Sequence, residues 1–162
     1  MKNIDAILNE FLIQQNYDDE LVARYEKDSD SYYLEYNPDD VEMRSLVVLG
    51  GKSNLRADEL FMKYCKELGL EIDVHVETMS FLHEIGHHWT MNFLDENELL
   101  ESEITKLCLY MKDEENDETF MKYFTCPIEY EATIDAINFC NACPEIILEL
   151  DEKLQKVLYE EA

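Results

Sequence analysis

The chain has 162 residues, a formal net charge of −25 and an apolar fraction of 46%. Its length predicts a single domain over residues 1–162, and ten tyrosines with seven phenylalanines supply aromatic surface for a core, which excludes a largely disordered chain. The negative charge would repel phosphate backbones, so direct nucleic-acid binding is not expected. The sequence contains no apolar run of the roughly 18 residues needed to span a membrane.

The cysteines and the first residues indicate where the protein works. Residues 1–5 lack the basic region and apolar stretch of a secretion signal, and an odd number of cysteines favours reduced thiols. We therefore expect a cytoplasmic protein without a membrane partner. The nearby pair Cys140 and Cys143 is expected to be two partly buried helix thiols rather than a redox pair or half of a second zinc site.

The first third of the chain predicts two helices followed by two strands. Apolar residues at helical spacing predict a helix over residues 3–16, and residues 18–27 are expected to form a second, shorter one. Aromatic and β-branched residues then predict strands over residues 32–36 and 44–49, with polar turns beside them.

A helix and a strand are expected next. Residues 56–68 carry apolar side chains on one side and end at Gly69, a common helix stop signal. Residues 71–77 alternate polar and apolar, which predicts a half-buried strand with His75 on its solvated face. This strand would lead directly into the following helix and bring a sheet next to it.

The stretch around residues 81–89 contains the pattern His-Glu-x-x-His. On a helix, His83 and His87 project from the same face one turn apart and can grip one metal ion, while Glu84 can reach a water molecule as a general base. Thr78 or Ser80 is expected to cap this helix. Its apolar face is expected to comprise Phe81, Leu82, Ile85, Trp89 and Phe93. Gly86 inside the helix suggests that another segment passes close by, as a site wall or in plain packing.

The rest of the chain is predicted to be helical. A helix over residues 95–110 carries several apolar side chains near one face, and the acidic run 113–118 is expected to be an exposed linker rather than a calcium site. Pro127 opens a helix to about residue 141, and Pro144 opens the last one.

Two histidines are not enough for a catalytic zinc ion, which usually has three protein ligands and an open position. No histidine follows His88, so the third ligand is expected to be a carboxylate, and the best source is the helix that starts at Pro127. Glu129 and Glu131 are both candidates there.

These two motifs resemble those of the compact ImmA/IrrE-like zinc metallopeptidases of bacteria, phages and mobile elements, which are of the glutamate-ligand type. One is His83-Glu84-Ile85-Gly86-His87, and the other is Glu129-Tyr130-Glu131-Ala132 with Ala136. The resemblance implies a mostly helical α+β, zincin-like domain with a small antiparallel or mixed sheet next to the HExxH helix. It also implies His83, His87 and Glu129 as zinc ligands, and Glu84 as the catalytic base.

The second motif departs from the family pattern, because Thr133 stands where the family commonly has Asn or Asp. A shifted register would make Glu131 the ligand and Asp135 a residue that orients a histidine. Glu129 is favoured, since Ala132 and Ala136 follow it one and two turns later on the same face.

The expected function is a zinc-dependent endopeptidase that cuts a specific cytosolic protein, such as a regulator. Water activated by the metal and by Glu84 would attack the peptide carbonyl, with His88, Tyr123 or Tyr130 as candidate donors to the oxyanion. The alternative is an acidic interaction protein of the DNA-mimic or anti-restriction type, in which a zinc-binding fold serves as scaffold. A helical bundle with a chance motif is the third possibility.

Overall fold

A computed structural model describes residues 3–90, 94–112 and 115–160. Seven α-helices and three strands follow one another in this part of the chain, and a π-helical turn, Lys156–Glu160, ends it. In chain order the elements are α1 (Ile4–Gln14), β1 (Leu21–Glu26), β2 (Tyr32–Leu34), β3 (Ser45–Gly50), α2 (Leu55–Glu67), α3 (Val76–Thr90), α4 (Glu96–Lys112), α5 (Asp117–Thr125), α6 (Pro127–Ala142) and α7 (Pro144–Gln155).

The sheet is mixed, with the strand order β1-β3-β2. Strand β1 runs parallel to β3, and β2 runs antiparallel to it. Residues 45–49 of the central strand are all buried, as expected for a strand covered on both faces. Both β2 and β3 pack against α3, so the predicted α+β, mostly helical fold with a small sheet beside the HExxH helix is confirmed.

Helix α3 is the centre of the domain, because it packs against the sheet and against α2, α6 and α7. The core is one continuous apolar cluster around it. Its fully enclosed large side chains include Leu8, Leu12, Leu21, Val47, Leu49, Met79, Phe81, Ile147 and Leu154. No helix in the described ranges is both long and apolar enough to cross a membrane.

The predicted helix over residues 18–27 is wrong, because most of this segment forms strand β1. Helix α1 supplies the reason. The side chain of Asn9 donates to the carbonyl oxygen of Ala23 (2.6 Å) and accepts from its amide (2.9 Å), while Asp5 accepts from the amide of Tyr25 (2.7 Å). Two helix side chains thus satisfy the outer edge of β1, and its inner edge pairs with β3.

The predicted strand over residues 71–77 is also wrong. Within the described residues this segment has no strand partner, and α3 already begins at Val76. Ile72 and Val74 nevertheless pack against the core, which explains the alternating pattern without a sheet. Thr78 and Ser80, the predicted caps, lie inside the helix.

Asp151 of α7 takes the place of the predicted cap. Its buried carboxylate accepts from the amide and the Nδ1 of His75 (3.0 and 2.9 Å) and from the hydroxyl of Thr78 (2.6 Å). The imidazole of His75 is 61% exposed, so it is solvated as predicted, but it is tied to α7 rather than part of a strand. A carboxylate at a helix N-terminus also interacts favourably with the helix dipole.

Replacing Asp151 by alanine is expected to lower the free energy of unfolding by about 2–3 kcal/mol, because three donors at the start of α3 lose their acceptor. Urea unfolding of the purified variant measures this loss. Glu152→Ala, an exposed neighbour on α7, is the matched control and should change stability by less than about 0.5 kcal/mol. Equal losses for both variants would contradict the capping role.

The second half of the chain is helical, as predicted, with one addition. Helices α4, α6 and α7 match the expected segments, but the acidic run 113–118 is only partly a linker, because α5 begins at Asp117. Asn116 and Thr119 form a reciprocal capping box there, which starts the helix inside the acidic run. Residues 113 and 114, and the predicted apolar residue Phe93, lie outside the described residues.

Candidate metal centre

Three side chains of the HExxH motif are buried together on α3. His83, Glu84 and His87 each expose 7–8% of their surface, and each offers a ligand atom within 4.8 Å of the others. Their spacing along the helix explains the arrangement, since positions four apart share a face. This buried group could hold a metal ion.

Gly86 lets helix α6 approach α3 closely on this side. A methyl group at Gly86 would lie 2.5 Å from the carbonyl oxygen of Ala132, which is too close for a carbon atom, and 3.0 Å from its Cα, which is tight. The neighbouring segment inferred from Gly86 is therefore the backbone of α6. Because Ala132 is one turn after Glu129, this contact brings Glu129 up to the histidines.

Gly86→Ala is expected to destabilise the protein by about 1–3 kcal/mol, because backbone atoms of α6 would have to move. The direction of the stability change is informative, because replacing glycine by alanine in an unobstructed helix stabilises a protein by up to about 1 kcal/mol. Ser80→Ala on the same helix serves as control and should not destabilise comparably. Thermal unfolding followed by circular dichroism measures both, and a stabilised Gly86→Ala variant would contradict the close approach.

Glu129 contacts both histidines. Its Oε2 lies 2.7 Å from Nε2 of His83 and 3.3 Å from Nε2 of His87, and the residue is only 2% exposed. Across the described part of the chain, Glu131 forms no ion pair or hydrogen bond with either histidine, and it is less buried. Asp135 approaches the hydroxyl of Thr90 (3.4 Å) instead of a histidine. The geometry thus places Glu129, and not Glu131, with the motif.

Thr133 orients His83. Its hydroxyl donates to the carbonyl oxygen of Glu129 (2.9 Å), so it accepts a hydrogen bond from Nδ1 of His83 (3.0 Å). Nδ1 therefore carries a proton, and Nε2 is the nitrogen turned towards Glu129 and His87. A threonine at this position thus fixes the tautomer and orientation of the ring, the role that an outer partner plays for a metal-binding histidine.

Lys106 of α4 was not expected in the site. Its Nζ lies 2.8 Å from Oε1 of Glu129, so the two carboxylate oxygens have different partners: Lys106 on one side and the histidines on the other. The same ammonium group lies 5.5 Å from the ring centre of Tyr123. No sequence motif marks a lone lysine in the middle of an amphipathic helix, so only tertiary packing reveals it.

The buried charges shift one another's titration. Burial opposes the charged form of His83, but the hydrogen bond and negative charge of Glu129 outweigh this and raise its pKa above the ordinary value. Burial also opposes ionisation of Glu129, yet hydrogen bonds from His83 and His87 hold its pKa well below the usual range. Both shifts favour a charged pair in which His83 is an imidazolium and Glu129 a carboxylate.

The pKa values of Glu84 and Tyr123 are both raised. Burial raises the pKa of Glu84, although His83 and His87 counteract part of the effect. Desolvation of its hydroxyl, followed by the negative charges of Glu129 and Glu84, raises the pKa of Tyr123 above its ordinary value, although 38% of the residue is exposed. Glu84 is thus a stronger base than an exposed carboxylate, and the hydroxyl of Tyr123 stays protonated at neutral pH.

His88 and Tyr130 are the other candidate donors to the oxyanion. Nδ1 of His88 is 3.0 Å from the hydroxyl of Tyr33 on β2, and its Nε2 is 3.8 Å from Glu20, so this ring is directed towards the sheet. Tyr130 is half-buried on α6. All five cysteines are free; Cys140 is buried in α6, whereas Cys143 is half-buried at the junction between α6 and α7 and so is not a helix residue.

The resemblance to ImmA/IrrE-like metallopeptidases rests on the residues of this centre. Comparisons of the whole chain with known proteins are an independent check on that resemblance. No protein-family model matches the chain, and no significant match was found among curated proteins or solved structures. The family assignment therefore stays a prediction from two short motifs. What supports a metal centre is the arrangement of the side chains themselves.

Proposed function

We propose that the protein is a zinc-dependent endopeptidase with His83, His87 and Glu129 as metal ligands and Glu84 as general base. One observation carries the proposal: three buried donor atoms from two helices converge on one point, with the carboxylate of Glu84 3.8 Å from Nε2 of His87. Two histidines and one glutamate form a known ligand set of catalytic zinc sites.

The distances are compatible with zinc. Bonds of about 2.0–2.2 Å put neighbouring ligands of a tetrahedral ion roughly 3.3–3.5 Å apart. The 3.3 Å between His87 and Glu129 has this value already, and the 2.7 Å between His83 and Glu129 is that of a hydrogen bond. The ion would fit if His83 lost one proton and the distance between His83 and Glu129 widened by about half an ångström.

A bound zinc ion would supply Lewis acidity, which polarises a carbonyl group and acidifies water. Glu84 would take the proton of the attacking water and pass it to the leaving amine, a task that its raised pKa favours. Lys106 would hold Glu129 through Oε1, so that Oε2 remains directed at the histidines. Tyr123, whose ring centre lies 5.5 Å from the Lys106 ammonium, is a candidate donor to the oxyanion.

The proposed substrate class is a protein of the same compartment, and we propose the cytoplasm as that compartment. The odd cysteine count, which favours reduced thiols, supports this assignment. The alternative, an acidic binding protein on a zinc-binding scaffold, offers no role for a buried carboxylate beside the ligands. Glu84 has that position and therefore favours the enzyme.

Incubation of the zinc-loaded protein with a diverse peptide mixture, followed by mass spectrometry of new termini, tests the proposal. We expect cleavage that a chelator abolishes and that added zinc restores. Metal analysis of the same preparation should give about one zinc per chain. Zinc without any cleavage would favour the scaffold alternative, and a protein that binds no zinc when it is offered would contradict both.

A further inference from the structure

We propose that the outer face of α4 docks a basic amphipathic helix of another protein. The face consists of Leu100, Ile104, Leu107 and Met111, which we call the outer seam. These residues are 60%, 53%, 61% and 80% exposed. Their spacing of four, three and four residues is that of a coiled-coil seam, so they form one continuous stripe along the helix.

The inner face of α4 prevents the seam from turning inward. The hydroxyl of Ser102, fully buried, accepts from the amide of Ile128 (3.0 Å), and Lys106 pairs with Glu129 (2.8 Å). The helix is therefore held by two polar anchors against α6 while the four residues of the outer seam face outward. Isolated exposed apolar residues are ordinary, but a stripe of four at heptad spacing marks an interaction surface.

The charges beside the seam indicate which kind of partner fits it. Glu96, Glu101 and Glu103, all exposed, occupy the positions that flank a coiled-coil seam. A second copy of the chain would bring glutamates against glutamates and add its own net charge of −25. A helix with lysine or arginine beside its apolar seam would instead pair with these carboxylates. The geometry therefore points to a basic helix and not to self-association.

This inference does not depend on zinc or on catalysis, because the seam lies on the face of α4 opposite Lys106. Both faces belong to one rigid element, so a partner on the seam would be held next to the metal centre. A protein substrate or a regulator could use the seam in this way, since each needs only a helical segment of the right charge.

A designed peptide tests the proposal. The probe is a synthetic helix with leucine and isoleucine at its seam positions and lysine beside them; a second peptide has glutamate in place of each lysine. Binding is measured by titration calorimetry against wild type, the double variant Ile104→Gln, Leu107→Gln, and the control Val41→Gln, Leu55→Gln. Glutamine preserves helix propensity on α4, and the control removes two apolar residues that are 98% and 73% exposed elsewhere.

We expect the lysine peptide to bind wild type and control alike, and to bind the seam variant at least about tenfold more weakly. The glutamate peptide should not bind. If the lysine peptide bound the seam variant as tightly as wild type, its binding would reflect only the attraction between opposite net charges, and the proposal would be overturned. The proposal would also be overturned if wild type sedimented as a dimer and the seam variant as a monomer, because a second copy of the chain would then occupy the seam. Circular dichroism verifies that both double variants keep the helix content of wild type.

Discussion

Glu129→Ala is expected to lose stoichiometric zinc, whereas Glu131→Ala should keep about one zinc ion per chain. Glu129 has an oxygen 2.7 and 3.3 Å from the two histidine nitrogens, and Glu131 makes no such contact within the residues that the structure describes. Loss of an outer partner already weakens metal binding by about 10–100-fold, so loss of a direct ligand should exceed about a hundredfold. Plasma mass spectrometry of the dialysed proteins measures the zinc content, and competition against a chromophoric chelator measures the zinc affinity.

The alanine variant also leaves Lys106 without its carboxylate, so it could lose metal by losing structure. Glu129→Gln provides the second test, because it keeps the size of the side chain and removes only the charge. Both variants should retain a cooperative unfolding transition and still bind zinc weakly. If Glu131→Ala alone lost the metal, the assignment of Glu129 would be wrong and the shifted register would be correct.

Glu84→Gln is expected to keep its zinc and lose cleavage. Glutamine has nearly the same shape but cannot accept the proton of the attacking water, and general base catalysis contributes about 10²–10⁴-fold. Metal content should be unchanged, because the ligand atoms of His83, His87 and Glu129 are untouched. Rates of appearance of new peptide termini, measured alongside metal content in the same samples, separate the two properties.

Glu131→Gln is the matched control for this experiment, since it makes the same chemical change on a partly buried glutamate of α6. It should cleave at the rate of the wild type. Undiminished cleavage by Glu84→Gln would refute the role of Glu84, even if zinc were bound as expected. Loss of zinc by Glu84→Gln would instead make Glu84 a ligand, consistent with its place in the buried group of His83 and His87.

Most elements with a strong local pattern were predictable. Helices α1, α2, α3, α4, α6 and α7 follow apolar spacing, prolines or stop signals that act within a few residues. The pair His83 and His87 and the base Glu84 are equally local, because helix geometry alone brings positions four apart onto one face. Glu129 was favoured over Glu131 for a similar reason, the small residues that follow it on its own helix face.

The errors lie where distant groups satisfy the backbone. Residues 18–27 form a strand because Asp5 and Asn9 of α1 bond to its outer edge and β3 pairs with its inner edge. Residues 71–75 form none because no described strand pairs with them, although their apolar side chains alternate. Neither fact is contained in the local sequence pattern.

Which residues could form a metal centre follows from the amino-acid order, because the chemistry of imidazole and carboxylate and the pitch of a helix are local properties. How that centre is completed depends on tertiary packing. The contact of Gly86 with the backbone of Ala132 sets the distance of Glu129, Thr133 fixes the ring of His83, and Lys106 arrives from α4. These contacts depend on how three helices pack, and packing joins residues that are far apart in the chain.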